Sequence, residues 1–377
     1  MINRYDFVRR HNPVVTEFDL TSPLSVGNGE FAFTADPTGL QTFAEAYEGK
    51  MPLCTMSQWG WHTIPAAGEQ KSYEIKDYRL KMYDTYGRKV GYITSREGQE
   101  EEYNWIRQNP HRLHLGRIGL KITIADDKPA KMSDLKNIHQ TLDLWRGLLV
   151  SSFTVEGLPV KVKTCCHPTR DLLAVSIESP MLTKGRIAVE FSYPYGSPEK
   201  TAADWSKEDK HRTEVIGHDE NQLTLLRILD ADHYFNTISF SAGAKFHRQG
   251  KHSFVLKPQE TGRVEFVSAF TPYLLRDSLQ SFAETAAAAA THWEKYWNTG
   301  GMVELAESKD PRGFELERRV VLSQYLTAIQ CAGSLPPAET GLTCNSWYGK
   351  FHLEMHWWHA AHFGLWCRIH LLEKSLW

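Results

Sequence analysis

The sequence predicts a multidomain β + α protein in which a large antiparallel β-sandwich is followed by a linker helix and by further helices. At 377 residues the chain is too long for one ordinary core. From about residue 14 to 275 the apolar segments are short, β-branched and separated by Gly, Pro, Asp and Asn, which is typical of strands and turns. At Asp277 the composition changes to residues that favour helices. We therefore expect a β-sandwich domain over 1–275, a linker helix over 276–301 and a helical region over 302–377.

The strands of the sandwich are predicted from short segments in which apolar residues alternate or run together. They lie at 116–125, 148–154, 160–166, 172–178, 186–193, 222–229, 237–246 and 263–270. We expect the strands at 148–154 and 160–166 to form a hairpin around Glu156-Gly157-Leu158-Pro159. Long polar or aromatic excursions at 50–112 and 196–220 are expected to be loops that reach a neighbouring domain. This number of strands is enough for two stacked sheets.

The residues after the sandwich predict three helices. The first, the linker helix, begins at a capping box formed by Ser281 and Glu284. The second covers 314–331, where apolar residues repeat along one face. The third begins near His352 or Glu354 and runs towards the C-terminus.

Charge and composition exclude several classes of function. Lys plus Arg number 43 and Asp plus Glu 45, a net charge of −2 without a basic block, so nucleic acid is not expected as a partner. The N-terminus lacks an apolar signal segment, and no apolar run reaches roughly eighteen residues, so we expect a cytoplasmic protein without a membrane partner. The six cysteines, interpreted as buried free thiols, lack a C-x-x-C spacing. No hydrolase, phosphate-binding or dinucleotide-binding motif is present, so neither a cofactor nor a metal is predicted.

Chemically versatile side chains are concentrated between residues 345 and 359, after the second helix. The predicted substrate-binding residues there are Trp347, Lys350, His352, Glu354, His356, Trp357 and Trp358. Sugars stack their apolar faces on aromatic rings, and their hydroxyls bind carboxylates, ammonium groups and imidazoles. A core helix would not bury so many polar groups, because each of them needs a partner. A cleft wall that binds a saccharide therefore fits this segment better than interior packing.

Two features of this segment have other interpretations. Glu354 contacts the substrate in the interpretation that we favour, and a salt bridge with Lys350 or a neighbouring His is the alternative. His352, His356 and His359 lie at i, i+4 and i+7 on one helical face, a spacing that suits a divalent metal. Because Glu354 would face another side of the helix, we favour hydroxyl recognition or structural histidines.

Two segments of the sandwich region are also candidates. The Gly-Asn-Gly turn at 27–29 is interpreted as an architectural tight turn that requires positive φ. The aromatic loop that contains Trp59 and Trp61 either closes over a sugar or packs at the domain interface. We include both tryptophans among the candidate substrate-binding residues.

The order of these parts resembles the six-hairpin glycosidase superfamily, and the layout is similar to glycoside hydrolase family 65, the maltose and kojibiose phosphorylase group. The resemblance rests on the Gly-Asn-Gly-Glu turn, the Ala-rich linker helix and the segment WYGKFHLEMHWWHAAHFGLW at 347–366. It implies that residues 302–377 are the incomplete start of an (α/α)6 barrel catalytic domain. In that family a Trp-Asp pair in this loop grips the sugar, and by position Glu354 takes the role of the carboxylate.

The resemblance implies a glycosidase or a disaccharide phosphorylase that acts on a saccharide with inversion. Six helical hairpins need about twelve helices, whereas residues 310–377 have room for about three. We therefore expect a truncated chain, in which the catalytic residues are unknown and the general acid lies beyond residue 377. The open barrel would expose apolar helix faces, which predicts a homo-oligomer that covers them. A noncatalytic carbohydrate-binding module and a His-based metal protein are the alternative functions.

Overall fold

The computed structural model describes residues 2–66, 72–258 and 261–376. Before residue 275 most of its regular structure is β. The strands, numbered in chain order, are β1 Val14–Val15, β2 Leu24–Gly27, β3 Phe31–Ala35, β4 Thr55–Ser57, β5 Trp61–His62, β6 Lys81–Thr85, β7 Arg88–Tyr92, β8 His111–Arg112, β9 Arg117–Ile122, β10 Leu135–Asp143, β11 Leu148–Val155, β12 Leu158–Cys166, β13 Leu172–Glu178, β14 Ile187–Ser192, β15 His211–Asp219, β16 Gln222–Leu229, β17 Asp232–Phe240, β18 Ala244–Arg248, β19 Ser253–Pro258 and β20 Arg263–Thr271.

The described strands form one large sheet and several smaller ones. The large sheet has nine strands in the order β1-β10-β11-β12-β13-β20-β17-β16-β15, and a second sheet has four in the order β18-β19-β14-β9. A three-stranded sheet joins β2, β3 and β4, while β5 pairs with β8 and β6 with β7. The predicted hairpin turn is confirmed, because Glu156 and Gly157 have φ angles of 48° and 78°. The predicted antiparallel β content is also confirmed by the strand pairings.

The two larger sheets face each other across one apolar core. Phe191 in β14 lies with its ring centroid 5.3 Å from that of Phe266 in β20. Phe240 in β17 lies 5.0 Å from Phe246 in β18. Side chains from both sheets belong to the same hydrophobic cluster, so burial of apolar surface between the sheets holds them together.

Helices become the main regular structure after the last strand. The helices described are α1 Arg4–Arg9, α2 Ala44–Tyr47, α3 Glu100–Gln108, α4 Pro180–Thr183, α5 Phe282–Asn298, α6 Gly313–Gln330, α7 Leu353–Ala360, α8 His362–Leu365 and α9 Ile369–Glu373. The predicted capping box at the start of α5 is confirmed. The Ser281 hydroxyl accepts from the Glu284 N–H, and the Ser281 N–H donates to the Glu284 carboxylate.

Strand β13 is buried on both faces, which explains its continuous apolar sequence. Val175 and Ile177 point into the core between the two sheets. Leu172 and Ala174 point to the opposite face and pack near Phe282 of α5. Helix α5 therefore covers the outer face of the large sheet.

The prediction of a single strand over 237–246 is wrong. The chain leaves the large sheet after Phe240 and enters the four-stranded sheet at Ala244, through a turn in which Gly243 has a φ of 81°. Apolar residues continue across this turn because β17 and β18 place side chains in the same core. The sequence pattern therefore hides the crossing between sheets.

The third predicted helix begins at Leu353, as expected, but it does not continue unbroken. It ends at Ala360 and is followed by the short helices α8 and α9. Between these two, Cys367 has a left-handed φ of 54°, and the buried guanidinium of Arg368 donates to the side-chain oxygen of Gln324 and to the Tyr296 carbonyl. These partners lie on α6 and α5, so the chain bends to bring Arg368 inwards. That these helices are the incomplete start of an (α/α)6 barrel stays a prediction.

The excursions at 50–112 and 196–220 are more regular than predicted. The first contains the hairpin of β6 and β7 and helix α3, and the second contains most of β15. The cysteines are free thiols and are buried as predicted, except for the exposed Cys367. Within the described ranges, no helix combines the length and the apolar character that a bilayer crossing requires.

Candidate functional site

The predicted saccharide-binding segment begins in the loop between α6 and α7, which the β-rich part of the chain holds in place. The side-chain amide of Asn345 donates to the Ser197 carbonyl at 3.1 Å, and its backbone N–H donates to the Lys200 carbonyl at 2.9 Å. Ala338 pairs with Phe351 in an isolated antiparallel bridge, which closes the base of the loop. The position of the loop is therefore fixed by contacts far away in the sequence.

A left-handed turn presents Trp347 to solvent. Trp347 and Tyr348 have φ angles of 48° and 63°, and Gly349 follows with 70°. A left-handed conformation costs a non-glycine residue roughly 1–2 kcal/mol, and such strain is concentrated at functional sites. Gly349 is required here, because a Cβ at this position would lie 2.4 Å from the Cβ of Arg112. The turn leaves the indole of Trp347 55% exposed.

Arg112 connects the Trp61 loop with this turn. Its buried guanidinium donates to the carbonyls of Ser57 and Gln58 at 2.7 and 2.8 Å, and to the Gly349 carbonyl at 3.4 Å. The same group lies 4.1 Å from the ring centroid of Trp61. Burial lowers the pKa of Arg112 to about 9. Trp61 is therefore positioned beside the candidate segment through a cation–π contact.

Lys350 holds the loop against the end of α3. Its ammonium group donates to the carbonyls of Ile106 and Asn109, both at 2.8 Å. Desolvation, followed by the charge of Arg107, lowers the pKa of this half-buried ammonium. Two of its three N–H donors are thus engaged by the protein.

Glu354 and the tryptophans of α7 face outwards. Glu354 lies in the first turn of α7 and is exposed, and the described residues give it neither a salt bridge nor a hydrogen bond to Lys350 or a histidine. Trp357 and Trp358 are 69% and 64% exposed. A carboxylate on the same helix as exposed indole rings is able to accept hydrogen bonds from sugar hydroxyls while the rings contact the apolar sugar face.

The histidines of the segment point in different directions. His352 precedes α7 and lies with its ring 6.4 Å from that of Trp347. Nε2 of His356 lies 3.3 Å from the Ser375 hydroxyl, and burial lowers the pKa of this imidazole. In the part of the chain that the structure describes, no group of three or more His, Cys, Asp or Glu side chains is arranged to hold a metal ion.

Trp59 lies apart from this segment. Its indole N–H donates to the carboxylate of Asp171 at 2.7 Å, and its ring faces Tyr234 at a centroid distance of 6.1 Å. Sequence reasoning placed Trp59 and Trp61 together because they are two residues apart. In an extended strand, residues two apart point to the same side. Here the Trp61 N–H donates to the Trp59 carbonyl at 3.0 Å, and this tight turn at Gly60 gives the two rings different surroundings.

The Gly-Asn-Gly turn has the architectural role that was predicted. The side-chain oxygen of Asn28 accepts from the backbone N–H groups of Glu30 and Phe31 at 2.9 and 2.8 Å. Gly29 has a φ of 94°, and a Cβ there would lie 2.7 Å from the Ala332 carbonyl oxygen at the end of α6. The absence of side chains therefore lets the turn approach α6 closely.

That the predicted residues other than Trp59 bind a substrate together stays a prediction. These residues, which we call the α7 surface, are Trp61, Trp347, Lys350, His352, Glu354, His356, Trp357 and Trp358. Arg112, which contacts both Trp61 and Gly349, is not among the predicted substrate-binding residues. The run at 109–113 that contains it, far along the chain from the Trp61 loop, is only a weaker candidate for the same role.

The fold is similar to part of a larger solved structure. Over 90% of its length, at 10% identity and a TM-score of 0.56, the chain matches 44% of a structure described as "Putative kojibiose phosphorylase from human microbiome". A bacterial glucoamylase complexed with acarbose matches 72% of this chain and 44% of its own at 10% identity, with a TM-score of 0.46. A GH92 α-mannosidase from Bacteroides thetaiotaomicron matches 88% of this chain and 41% of its own at 12% identity, with a TM-score of 0.32.

The first of these matches agrees, at the level of the fold alone, with the predicted similarity in layout to the kojibiose phosphorylase group. The chain spans less than half the length of the proteins that it matches. No family model matches the sequence, and no curated protein is significantly similar to it.

Proposed function

We propose that this chain belongs to a carbohydrate-active enzyme of the six-hairpin glycosidase type, which hydrolyses or phosphorolyses glycosidic bonds. The observation that carries the proposal is the exposure of Glu354 and the neighbouring tryptophans at the start of α7. The fold match to a protein described as a kojibiose phosphorylase supports the class of substrate. On this proposal residues 302–377 are the start of an (α/α)6 barrel that follows a sandwich domain over 1–275 and a linker helix over 276–301.

The α7 surface binds the saccharide in this proposal. Trp347, Trp357 and Trp358 offer ring faces for stacking, and Glu354 accepts hydrogen bonds from hydroxyls on one edge of the sugar. The remaining N–H of Lys350 donates to a sugar oxygen. Arg112 does not contact the sugar, because its guanidinium is buried and bonded to backbone carbonyls, and it positions Trp61 and Gly349.

The chemistry that we propose is inversion at the anomeric carbon. A carboxylic acid protonates the leaving oxygen while water or phosphate attacks the opposite face of the sugar ring. The two reacting groups in an inverting glycosidase stand roughly 6.5–9.5 Å apart, which leaves room for the nucleophile. Glu354 serves substrate binding in this scheme, and the general acid is supplied by a residue outside the α7 surface.

Binding and turnover of simple saccharides by the wild-type chain test the proposal. The panel contains maltose, kojibiose and aryl glucosides, each with and without inorganic phosphate, and the readouts are released sugar or sugar phosphate and heat of binding. Glu354→Gln should weaken saccharide binding at least tenfold, because an amide replaces a charged acceptor. Glu373→Gln, an exposed glutamate on α9, is the matched control and should leave binding unchanged.

A noncatalytic carbohydrate-binding module is the second candidate function. It is favoured by one observation, which is that residues 345–358 contain a single carboxylate, Glu354. Binding that depends on Glu354 without turnover of any substrate supports this module. If Glu354→Gln and Glu373→Gln bind every saccharide equally well, both candidates fail.

A further inference from the structure

A cavity lies in the β-rich part of the chain, and no residue of the α7 surface lines it. It has a volume of about 380 Å³ and is formed where the loops after β4 and β12 meet the segment that leads from β20 to α5. The side chains that matter for its chemistry are those of Trp59, Arg170, Asp171, Tyr273 and Asp277. This volume lies in the range of roughly 300–1,000 Å³ that is typical of small-molecule sites.

Asp171 is a half-satisfied carboxylate in the wall of this cavity. Its Oδ2 accepts hydrogen bonds from the Ser57 hydroxyl and from the Trp59 indole N–H. Its Oδ1 has no hydrogen-bond partner among the described residues. Burial raises the pKa of Asp171 to about 6, and the nearby charge of Glu30 acts in the same direction. Asp171 is only partly buried, so its second carboxylate oxygen is accessible to a donor group of a ligand or of water.

The neighbouring carboxylate, Glu30, does not compete for the same ligand. One of its oxygens accepts from the Ser334 N–H at 2.6 Å, and the other accepts from the Ser334 hydroxyl at 2.9 Å. Both oxygens are therefore engaged in holding the residue that follows α6. Of these two carboxylates, only that of Asp171 has an oxygen, Oδ1, without a hydrogen-bond partner among the described residues.

The outer wall combines aromatic surface with unpaired charges of both signs. Tyr273 is 64% exposed, and the ring of Trp59 lines the cavity. Among the described residues, neither the guanidinium of Arg170 nor the carboxylate of Asp277 forms an ion pair. A ligand with many hydroxyl groups is able to donate to the carboxylates and to accept from the guanidinium of Arg170, whereas the carboxylates, more numerous than the single guanidinium, repel an anion.

We propose that this cavity binds a neutral saccharide of one or two pyranose units, with Asp171 Oδ1 as the acceptor for a sugar hydroxyl. The ring of Trp59 contacts the apolar face of the sugar, and its N–H fixes the carboxylate that binds the hydroxyl edge. Arg170 donates to a ring or hydroxyl oxygen at the entrance. This site goes beyond the proposed function, because it shares no residue with the α7 surface and requires no catalysis.

The test uses the full chain with glucose and maltose as probes, by saturation-transfer NMR and titration calorimetry. In a Glu354→Gln protein, which weakens the α7 surface, the cavity should still bind sugar. Adding Asp171→Asn should reduce that binding at least tenfold. Arg170→Ala, an exposed change that does not threaten the core, should reduce it about threefold. Asp219→Asn, an exposed aspartate on β15, is the matched control and should have no effect.

The outcomes separate this inference from the proposed function. If the Glu354→Gln protein binds neither sugar, or if Asp171→Asn and Arg170→Ala bind as Asp219→Asn does, the cavity site is overturned. A change in sugar binding on Glu354→Gln in the wild-type background tests the α7 surface alone. Near-ultraviolet circular dichroism shows whether the Asp171→Asn protein is folded. If it is not folded, sugar binding by the Arg170→Ala protein tests the cavity site instead.

Discussion

The β-rich part of the chain and the helices that begin at residue 353 differ in how far their large apolar side chains are exposed to solvent. In the first, Phe191, Phe266 and their neighbours from two sheets close a common core. In the second, Leu353 and Leu365 are 77% and 80% exposed, and the tryptophans of α7 are exposed beside them. Isolated exposed apolar residues are ordinary on proteins, but a contiguous group of them marks an interaction surface. Phe191 and Phe266 therefore lie in a closed core, while Leu353, Leu365 and the tryptophans of α7 are exposed to solvent.

The largest effect on stability is expected when a large core side chain is replaced by alanine. Phe191→Ala should lower the free energy of unfolding by about 3–5 kcal/mol, because it removes a buried ring that contacts Phe246 and Phe266. Leu365→Ala removes a similarly large apolar side chain from the exposed helices and should cost less than about 0.5 kcal/mol. Urea denaturation followed by circular dichroism measures both. Equal costs would mean that the two regions do not differ in the way their exposure indicates.

A smaller effect on stability is expected inside the β-rich part, from the partly buried carboxylate of Asp171. Among the described residues, only its Oδ2 has hydrogen-bond partners. The pKa of Asp171 is raised from 3.8 to about 6 in the folded state, so the unfolded chain loses this proton first as the pH rises. Relative to Asp171→Asn, the wild type should therefore lose roughly 2 kcal/mol of stability between about pH 4 and pH 6, and nothing further above that.

Urea denaturation of both proteins at several pH values between 4 and 8 checks this expectation. Asp219→Asn serves as the control, since it changes an exposed aspartate for which no buried partner exists in the structure. A stability difference that stays flat, or that grows in favour of the wild type as the pH rises, would contradict the raised pKa.

Local patterns explain why the β-rich part could be predicted from the sequence. Alternation and turn residues define strands within a few positions, as for β13 and for the Glu156–Gly157 hairpin. These patterns did not predict the turn after Phe240, because β17 and β18 both place apolar side chains in the same core. The break after α8 escaped it as well, because Arg368 finds its partners 44 and 72 residues away.

The candidate site could be predicted only in part. Residue types identified the α7 segment, since Glu354 and its tryptophans are chemically suited to a sugar. Their accessibility depends on which helix faces are covered, and this is a tertiary property. Arg112 and Gly349 meet although they are 237 positions apart, so no local pattern predicts that contact. Asp171 was missed for the same reason, because its partners Ser57 and Trp59 lie more than one hundred positions earlier.

The smallest effect on stability is expected from replacing exposed leucines of α7 and α8, a change that should alter self-association of the chain instead. We propose that the exposed apolar side chains of α7 and α8 mediate self-association, so a Leu353→Gln and Leu365→Gln double variant should sediment as a smaller species than the wild type at tens of micromolar. The free energy of unfolding should change by less than about 0.5 kcal/mol, since both side chains are exposed. Ile75→Gln is the control, because Ile75 is 68% exposed but lies in the β-rich part. If sedimentation velocity gives the same mass for the wild type, the double variant and the control, the helices do not associate, and their exposed surface serves ligand binding alone.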